Sequence, residues 1–506
     1  MGRRRRAPKA AATPDAASEF VGTGEAAVTL GVSPATLRRW VSEGRVPARK
    51  VGKQWRIRRS DLGSVVMLRD AQPAAPVPPV DGMVEQCERQ IDGLLAGLGM
   101  SKTAIKEAGQ AVESQITQPY EGDAEVRRLL FKLLLHAVRS RASDLHIEPS
   151  AGPARVRQRV DGLLTEAAEL PQGFARLLVD EIKRLVKLDP NERRRAQDGC
   201  LMAQLDGRDI DFRINVTPGV HGEVAALRIL DRGVMLLTLD RLGLEADQLD
   251  RYRAIVERPN GLILTTGPTG NGVTTTIYAS LAHLNAPQRK IMTAEDPVEY
   301  VIAGVDQAEI NEDIGFGYAQ AARAMMRQAA DVLFIGELRD RETAEVAVAA
   351  ALTGHLVFST MHTNDAPGAV SRLLDIGVKP YRLASAFQAI FGQRLVRLIC
   401  RHCRTRYEPS DEELHALELT DRQPDGTFWR GAGCAKCHRT GYRGRAAVYQ
   451  VLEFTSEVRR AVFEERSTAD IRETARSAGL RTLREVALDK VFRGETTLAE
   501  VATVIG

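Results

Sequence analysis

From residue 261 onward, apolar positions fall in short blocks separated by glycines and charges. "GLILTTG" (261–267) is a continuous apolar run with turn signals on each side, the pattern of a strand buried on both faces. The run "TTIYASLAHL" after the next glycines reads as a helix. "IMTAE" (291–295) and "DVLFI" (331–335) read as further buried strands. The longest apolar stretch, "VAVAAALTGHLVFSTMH" (346–362), is interrupted by Gly354 and His355, so it reads as a helix and then a strand, not a membrane span. Strands alternating with helices predict an α/β core on a parallel sheet.

Earlier, the pattern is finer. In "GEAAVTLGVSPATLRRWVSEG" (24–44), Ala26, Ala27 and Leu30 mark one short helix and Gly31 breaks it. Ser33 then stands as an N-cap, with Pro34 at the first helical position. Leu37, Trp40 and Val41 form the inner stripe of a second helix, which leaves Thr36, Arg38 and Arg39 facing outward. "RKVGKQWRIRRSDL" (49–62) reads as a β-hairpin turning near Gly52-Lys53. "DAQPAAPVPPVDG" (70–82) is a semi-rigid linker by composition, and 83–118 reads as helical without a motif.

Composition narrows the class. A chain of 506 residues builds two to four domains. Its 44% apolar and 27% charged content is that of an ordinary globular protein. The N-terminus is basic but no apolar segment follows it, so it is not a secretory signal and a cytoplasmic location is expected. Charge is uneven. Residues 1–62 hold 14 Lys and Arg against 5 Asp and Glu, a net of +9; the whole chain carries +4, so the remainder sums to −5. A basic head on a mildly acidic body makes the head the expected contact for a polyanionic partner.

The helix pair, the Trp and the hairpin occur in the order of the excisionase and MerR-type winged helix-turn-helix, which residues 20–66 resemble. The resemblance implies DNA binding, with Thr36, Arg38 and Arg39 on the helix in the major groove and Lys53 and Arg56 on phosphates. A basic module that binds protein is the competing reading.

Between the first strand and its helix lies "GPTGNGVTT": Gly267, Pro268, Thr269, Gly270, Asn271, Gly272, Val273, Thr274 and Thr275. Strand, glycine-rich loop and helix together form the context of a phosphate-binding loop. Glycines let the backbone curl so that N–H groups point at phosphate oxygens, and the helix N-terminus adds its positive dipole end. Thr274 stands where a hydroxyl would bind Mg2+, but Val273 stands where the loop lysine is expected. Downstream, Glu295 and Glu299 follow one strand, and Glu337 lies at the carboxyl end of another, where open parallel sheets bind ligands. His355 and His362 flank a third strand. These five residues are the catalytic candidates of the core.

"EDPVEY", "GELRDRETAEVAVAAALTGHLVFSTMHTNDAPGAVSRLLDIGV" and "QRLVRLICRHC" resemble the ATPase family that powers type II secretion and type IV pilus assembly, from about residue 123 to the C-terminus. The resemblance implies a RecA-like core, ATP and Mg2+ as ligands, and a hexameric ring coupled to an inner-membrane platform protein. It places the chain at the cytoplasmic side of that membrane, peripheral through its partners. "RASDLHIEP", "ARVRQRVDGLL" and "GRDIDFRINVTPGVHGEVAALRIL" resemble the family's PAS-like N-terminal domain, whose arginines reach a nucleotide site; the matching positions are Arg208, Arg213 and Arg228, with Arg213 and Arg228 the stronger pair. Three positions depart from the family pattern: Val273 for Lys, Asn271 for Ser, and Ala329-Ala330 for Asp-Pro.

Cys400, Cys403, Cys434 and Cys437 form two CxxC pairs with 30 residues between, the spacing of a tetrahedral Zn2+ site with a closed, structural shell. Two dithiol switches are the alternative, without the surrounding pattern of a redox fold. The quartet and the trailing "GYRGR" resemble the zinc subdomain of the secretion and assembly branch. The expected order is a basic tail (1–19), winged helix-turn-helix (20–66), linker (67–82), helical segment (83–122), PAS-like α+β domain (123–232), linker (233–258), RecA-like core (259–399), zinc subdomain (400–445) and helical C-terminal region (446–506). Two functions lead: a motor ATPase with a degenerate loop, in a homo-hexamer or a mixed hexamer with an active paralogue, and a regulatory pseudo-ATPase that ties the apparatus to DNA or a partner. A third, DNA translocation or uptake, joins both halves but nothing in the sequence requires it.

Overall fold

The computed structural model describes residues 20–30, 33, 37, 38, 41, 46, 48–51, 54–58, 80–98, 100, 101, 123–231, 237–419 and 427–505. In the head, α1 (Thr23–Leu30) packs on a three-stranded antiparallel sheet of β1 (Phe20–Gly22), β2 (Arg49–Val51) and β3 (Gln54–Arg58), with β3 central. The expected hairpin is present, Val51 facing Gln54 across the turn. The extra strand β1 pairs Val21 with Ile57, and its three residues are too short to show a period. Val21, Ala26, Ala27, Leu37, Val41, Val46 and Ile57 make a separate small core. Arg38 is exposed and Arg56 half-buried; Thr36, Arg39 and Lys53 lie outside the described residues.

The next unit is α+β. Helix α2 (Val80–Gly97) packs on α3 (Ala124–Arg139), where Lys132 reaches Glu88 at 2.8 Å and Asp92 at 2.7 Å. Asp123 caps α3 by accepting from the N–H groups of Glu125 and Val126. Strands β4 (Ala142–Glu148), β5 (Ala154–Val160) and β6 (Leu163–Leu170), helix α4 (Phe174–Leu185), and strands β7 (Gln197–Leu205), β8 (Arg208–Gly219) and β9 (Gly222–Asp231) follow. They form one antiparallel sheet in the order β6-β5-β4-β9-β8-β7. Ile210, Phe212, Ile214 and Val216 of β8 point into the core with period two, which leaves Arg213 on the opposite face. Helix α5 (Ala246–Val256) then enters the core and buries Tyr252, Ile255 and Val256.

The core sheet is built from β10 (Gly261–Thr266), β11 (Ile291–Glu295), β12 (Asp306–Glu309), β13 (Val332–Ile335), β14 (Leu356–Met361) and β15 (Phe387–Ile399), in the order β12-β11-β13-β14-β10-β15, all parallel. Its strands are buried on both faces. Leu262 and Leu264 join one apolar cluster while Ile263 joins the other, and Leu333 and Ile335 alternate likewise with Val332 and Phe334. One face carries α6 (Val273–Leu284); the other carries α7 (Tyr318–Met326), α8 (Arg341–Leu352), α9 (Ala366–Asp375) and α10 (Pro380–Ala386).

After β15 the chain leaves the sheet through Cys400, forms a ribbon of β16 (Arg404–Arg406) and β17 (Trp429–Gly431) with the one-turn α11 (Asp411–His415), and returns through Cys437. Strand β18 (Tyr442–Glu453) then pairs antiparallel with β15 at the sheet edge, a closure that no turn signal announces because 42 residues separate the two strands. Helices α12 (Ser456–Phe463) and α13 (Thr468–Ser477) cover one core cluster. Helices α14 (Leu483–Phe492) and α15 (Leu498–Ile505) pack with Val396, Leu417, Phe428 and Val448. Among the described residues no helix is long and apolar enough to cross a membrane.

Candidate functional site

The loop 267–272 leaves the carboxyl end of β10, which lies between β14 and β15. Gly270 (φ 82°) and Gly272 (φ 76°) are in the left-handed region, where a side chain would be strained. Gly267 is required by space: a Cβ there would lie 2.6 Å from the Gln393 carbonyl oxygen. Asn271 shapes the loop. Its Nδ2 donates to Pro268 O at 3.0 Å and its Oδ1 accepts from Leu395 N at 2.9 Å. Gln393 Nε2 donates to Asn271 O at 2.7 Å, while Gln393 Oε1 accepts from the buried Thr276 hydroxyl at 2.8 Å. Pro268, Thr269 and Gly270 are exposed; Val273, Thr274 and Thr275 are half-buried at the start of α6. The first turn of α6 therefore presents backbone N–H groups and the Thr274 and Thr275 hydroxyls, with no cationic side chain.

The candidate acid and base residues divide. His362, just beyond β14, contacts Gly267 O through Nδ1 at 3.0 Å and faces Glu337 Oε1 through Nε2 at 3.5 Å. A contact to a carbonyl oxygen requires that Nδ1 carry the proton. His362 thus bridges the loop and the carboxylate at the end of β13, and Arg339 Nε donates to that carboxylate at 2.6 Å. His355 sits at the other end of β14. Its Nδ1 bonds Ala350 O, at the close of α8, at 3.0 Å. Six strand residues, roughly 20 Å, separate the two histidines, so one chain does not bring His355 to the loop.

Glu295 is the last residue of β11 and is 3% exposed. Its carboxylate accepts from Thr293 Oγ1 at 2.5 Å, from Gln307 Nε2 at 3.1 Å and from the Tyr278 hydroxyl. Burial pushes its pKa above the usual carboxylate range, against the pull of these three bonds. Glu299 is half-buried in the segment beyond, and its N–H donates to the Tyr278 hydroxyl at 3.2 Å. From the N-terminal domain, Arg213 Nη2 donates to Val298 O at 3.0 Å, one residue before Glu299. Arg228 is the direct cross-strand neighbour of Arg213, with its side chain 62% exposed and Nε 3.5 Å from Asp144. Arg208 lies at the far end of β8 and pairs with Asp231 at 2.6 Å. The structure therefore brings Arg213 and Arg228 together and leaves Arg208 apart.

Sequence reasoning did not single out Gln393 or Arg394. Arg394 is buried beside the loop, donating to Gln393 O at 3.1 Å and Asn364 O at 2.7 Å. Their signal was present in "QRL", but a polar pair inside a strand pattern does not say which loop it supports.

The four cysteines converge. Their sulfurs all lie within 4.8 Å of one another, with Cys400 and Cys434 at 3.9 Å, Cys403 and Cys437 at 3.8 Å, and Cys434 and Cys437 at 3.7 Å. A tetrahedron with metal–sulfur bonds of about 2.3 Å has edges of about 3.8 Å, so the cluster has the dimensions of a four-thiolate Zn2+ shell. Cys400 N donates to Gly441 O at 2.9 Å, which clamps the mouth of the ribbon.

A parallel sheet with a glycine loop opening a helix at its strand ends defines the class of P-loop nucleotide-binding cores. Residues 120–503 match the family model described as Type II/IV secretion system protein, and residues 20–63 match one described as Helix-turn-helix domain. The chain is 41% identical over 429 residues to Type II secretion system protein E of Xanthomonas campestris pv. campestris, covering 84% of this chain and 75% of that one. It is 42% identical over 384 residues to Type IV pilus assembly ATPase PilB of Myxococcus xanthus, covering 75% and 68%. It is similar to the crystal structure of the pilus retraction motor PilT with bound ADP (TM-score 0.51, 27% identity, 73% of this chain and 94% of that one). It shares its fold with the Legionella pneumophila ATPase DotB (TM-score 0.54, 19% identity, 76% and 96%). The chain belongs to the secretion and pilus-assembly ATPase family, with a helix-turn-helix domain at its N-terminus.

Proposed function

We propose that the chain is an assembly-type member of this family that holds ATP and Mg2+ at residues 267–275 and turns ATP over slowly. The observation that carries this reading is a fully shaped loop whose helix opens on Val273 instead of a cation. The N–H groups after Gly270 and Gly272 would hold the phosphates, and Thr274 would ligate Mg2+. Bound Mg2+ supplies positive charge to the β- and γ-phosphates. Glu337, oriented by Arg339 and His362, is placed to position water or the magnesium shell. Glu299 acts from the segment that Arg213 holds, and Arg228 beside it, 62% exposed and held only at 3.5 Å by Asp144, offers a cation to a nucleotide. Glu295 contributes by pinning that segment. His355, at the end of β14 away from the loop, is assigned to the nucleotide of a neighbouring subunit.

This reading includes a ring, homo-hexameric or mixed with an active paralogue. The chain docks on an inner-membrane platform protein, and the zinc subdomain has a structural role. A second reading is favoured by the helix-turn-helix match and the +9 head: a regulatory pseudo-ATPase that ties the apparatus to DNA or a partner. Calorimetry with Mg2+-ATP and phosphate release, on the natural chain and Thr274→Ala, test the proposal. Weak Mg2+-dependent binding that Thr274→Ala weakens further, with slow turnover, is the expected result. Absence of nucleotide binding leaves the second reading, and rapid turnover removes the slow-motor proposal.

A further inference from the structure

The cysteine ribbon meets the N-terminal domain across a cleft of about 260 Å³ that includes no residue of the loop 267–275 and has one member of the cysteine cluster, Cys437, in its wall. Five permanent cations line it (Arg139, Arg141, Arg397, Lys436 and Arg443) against one carboxylate, Asp161. Three of the five are already paired: Arg139 with Asp206 at 2.5 Å, Arg141 with Asp161 at 3.7 Å, and Arg397 with Glu500 through two nitrogens. Lys436 and Arg443 form no hydrogen bond or ion pair with any described residue. Ser140, 5% exposed, belongs to the same wall, and its hydroxyl has no partner; nor has the buried Nε of Arg139. A buried donor without an acceptor is costly, and two of them in one wall mark a place where an acceptor is missing.

The cleft also joins two parts of the fold. Arg139, Ser140 and Arg141 close α3, and Asp161 lies in the β5–β6 turn. Lys436 precedes Cys437 on the ribbon, and Arg443 stands at the start of β18, where the chain returns from it. Asp161 already links the two sides, since its carboxylate accepts from Gly444 N at 2.7 Å. A zinc tetrathiolate would itself be anionic, and Lys436 and Arg443 partly offset it. Arg139, Arg141 and Arg397 come from other elements and are not consumed in that way.

We propose that this cleft binds a compact phosphate ester, separately from the phosphate loop, and that its occupant holds the N-terminal domain to the cysteine ribbon. The class follows from chemistry and size. Guanidinium and ammonium groups from opposite walls suit a dianion with several acceptor oxygens. The volume lies below the range of drug-sized sites, so a sugar phosphate fits where a nucleoside triphosphate or a polymer does not. Leu98 and Leu163 offer apolar surface to the carbon part. A ligand that contacts both sides binds the joined arrangement better than the separated one, and so shifts the population toward it. The site would then let a small metabolite brake relative motion of these two domains.

The probes are inorganic phosphate and ribose 5-phosphate, titrated calorimetrically into the full-length chain. Four proteins separate the outcomes: the natural chain, Thr274→Ala in the phosphate loop, the double variant Lys436→Ala/Arg443→Ala, and Leu163→Trp. Leu163 is 41% exposed in the cleft wall, so Trp there takes up cleft volume while every cation and cysteine of the lining is kept. The expected result is equal binding by the natural chain and Thr274→Ala, and a loss of about tenfold or more in the double variant. Leu163→Trp is expected to lose ribose 5-phosphate binding likewise. Slower amide exchange at 139–141 and 436–443 should accompany binding. Binding that survives both cleft variants, that falls only in Thr274→Ala, or that is absent in the natural chain at millimolar probe overturns the proposal. ATP takes no part in the readout, so such a failure leaves the nucleotide reading untouched.

Discussion

Val273→Lys is the perturbation that separates the shape of the phosphate loop from its charge. Val273 is the first residue of α6, half-buried, and its Cγ2 lies 3.5 Å from the point where a Cβ on Gly267 would stand. A Lys stem can start along the same path and carry its ammonium to the mouth of the loop. Two unit charges about 4 Å apart attract by about 4 kcal/mol at an effective dielectric of 20. Removing one preorganised donor from a transition-state site costs about 3 kcal/mol in comparable cases. About 3 kcal/mol is roughly a hundredfold in rate, so kcat should rise by about that factor. Affinity for Mg2+-ATP should rise less, about tenfold, because Mg2+ and the N–H cradle already serve the ground state. The fold should tolerate the change. Lys gains a few tenths of a kcal/mol over Val in helix propensity, and a cation at a helix N-terminus costs about as much. Val273→Met is the control, since it lengthens the side chain without adding charge. Steady-state phosphate release and calorimetry on the three proteins give the answer. If the natural chain turns over as fast as the Lys variant, the charge is supplied from elsewhere, as by Arg228 of a neighbour, and the reasoning is wrong. If Met matches Lys, packing and not charge limits the site.

Glu295 has a raised pKa in the fold, so its protonated form is favoured there. Its contribution to stability is full below the unfolded value of about 4.3 and is lost as pH rises through the folded value. Glu295→Gln should therefore flatten the fall in stability between those two pH values; urea titrations across pH that show the same slope in both proteins would refute this. Cys434→Ser should lose a bound Zn2+ that metal analysis finds at about one per natural chain, and should lower the melting temperature; a metal-free natural chain would remove the zinc assignment. The full chain should bind duplex DNA with affinity that falls steeply with salt, and a chain lacking residues 1–66 should not; equal binding by both in fluorescence anisotropy would place the nucleic-acid surface elsewhere.

What could be read from the chain was what depends on local pattern. Buried strands appear as unbroken apolar runs, and the loop declares itself by glycines between such a run and a helix, which is how Gly267, Gly270 and Gly272 were located. The cysteine quartet was legible because tetrahedral thiolate sites need two close pairs, and the observed 3.7–3.9 Å edges have that geometry. Long-range placement was not legible. His355 and His362 look alike as residues flanking β14, yet a strand has two ends and only one faces the loop. Glu295 reads like any carboxylate after a strand, but it turns inward with Thr293 onto Tyr278 of the preceding helix α6, a contact set by how that helix packs on the sheet. Arg213 meets Val298 across 85 positions of sequence, a contact set by the docking of two domains and by no local period.

The side chains that shape the loop are not those that would charge it. Asn271 ties the loop to itself and to Leu395 N; Gln393 holds the Asn271 carbonyl; His362 holds that of Gly267. None of these bonds involves the side chain at 273. A lysine there would add nothing to the unliganded loop and would set a cation against the positive end of α6. Stability alone therefore gives no reason to keep a lysine, and its loss need not disturb the cradle. A residue required only when phosphate is bound can be exchanged for valine while every bond that shapes the site persists. The slow motor proposed above would be this case: the bonds that shape the loop are present and no cation stands at 273, so an intact loop would not by itself make an intact engine.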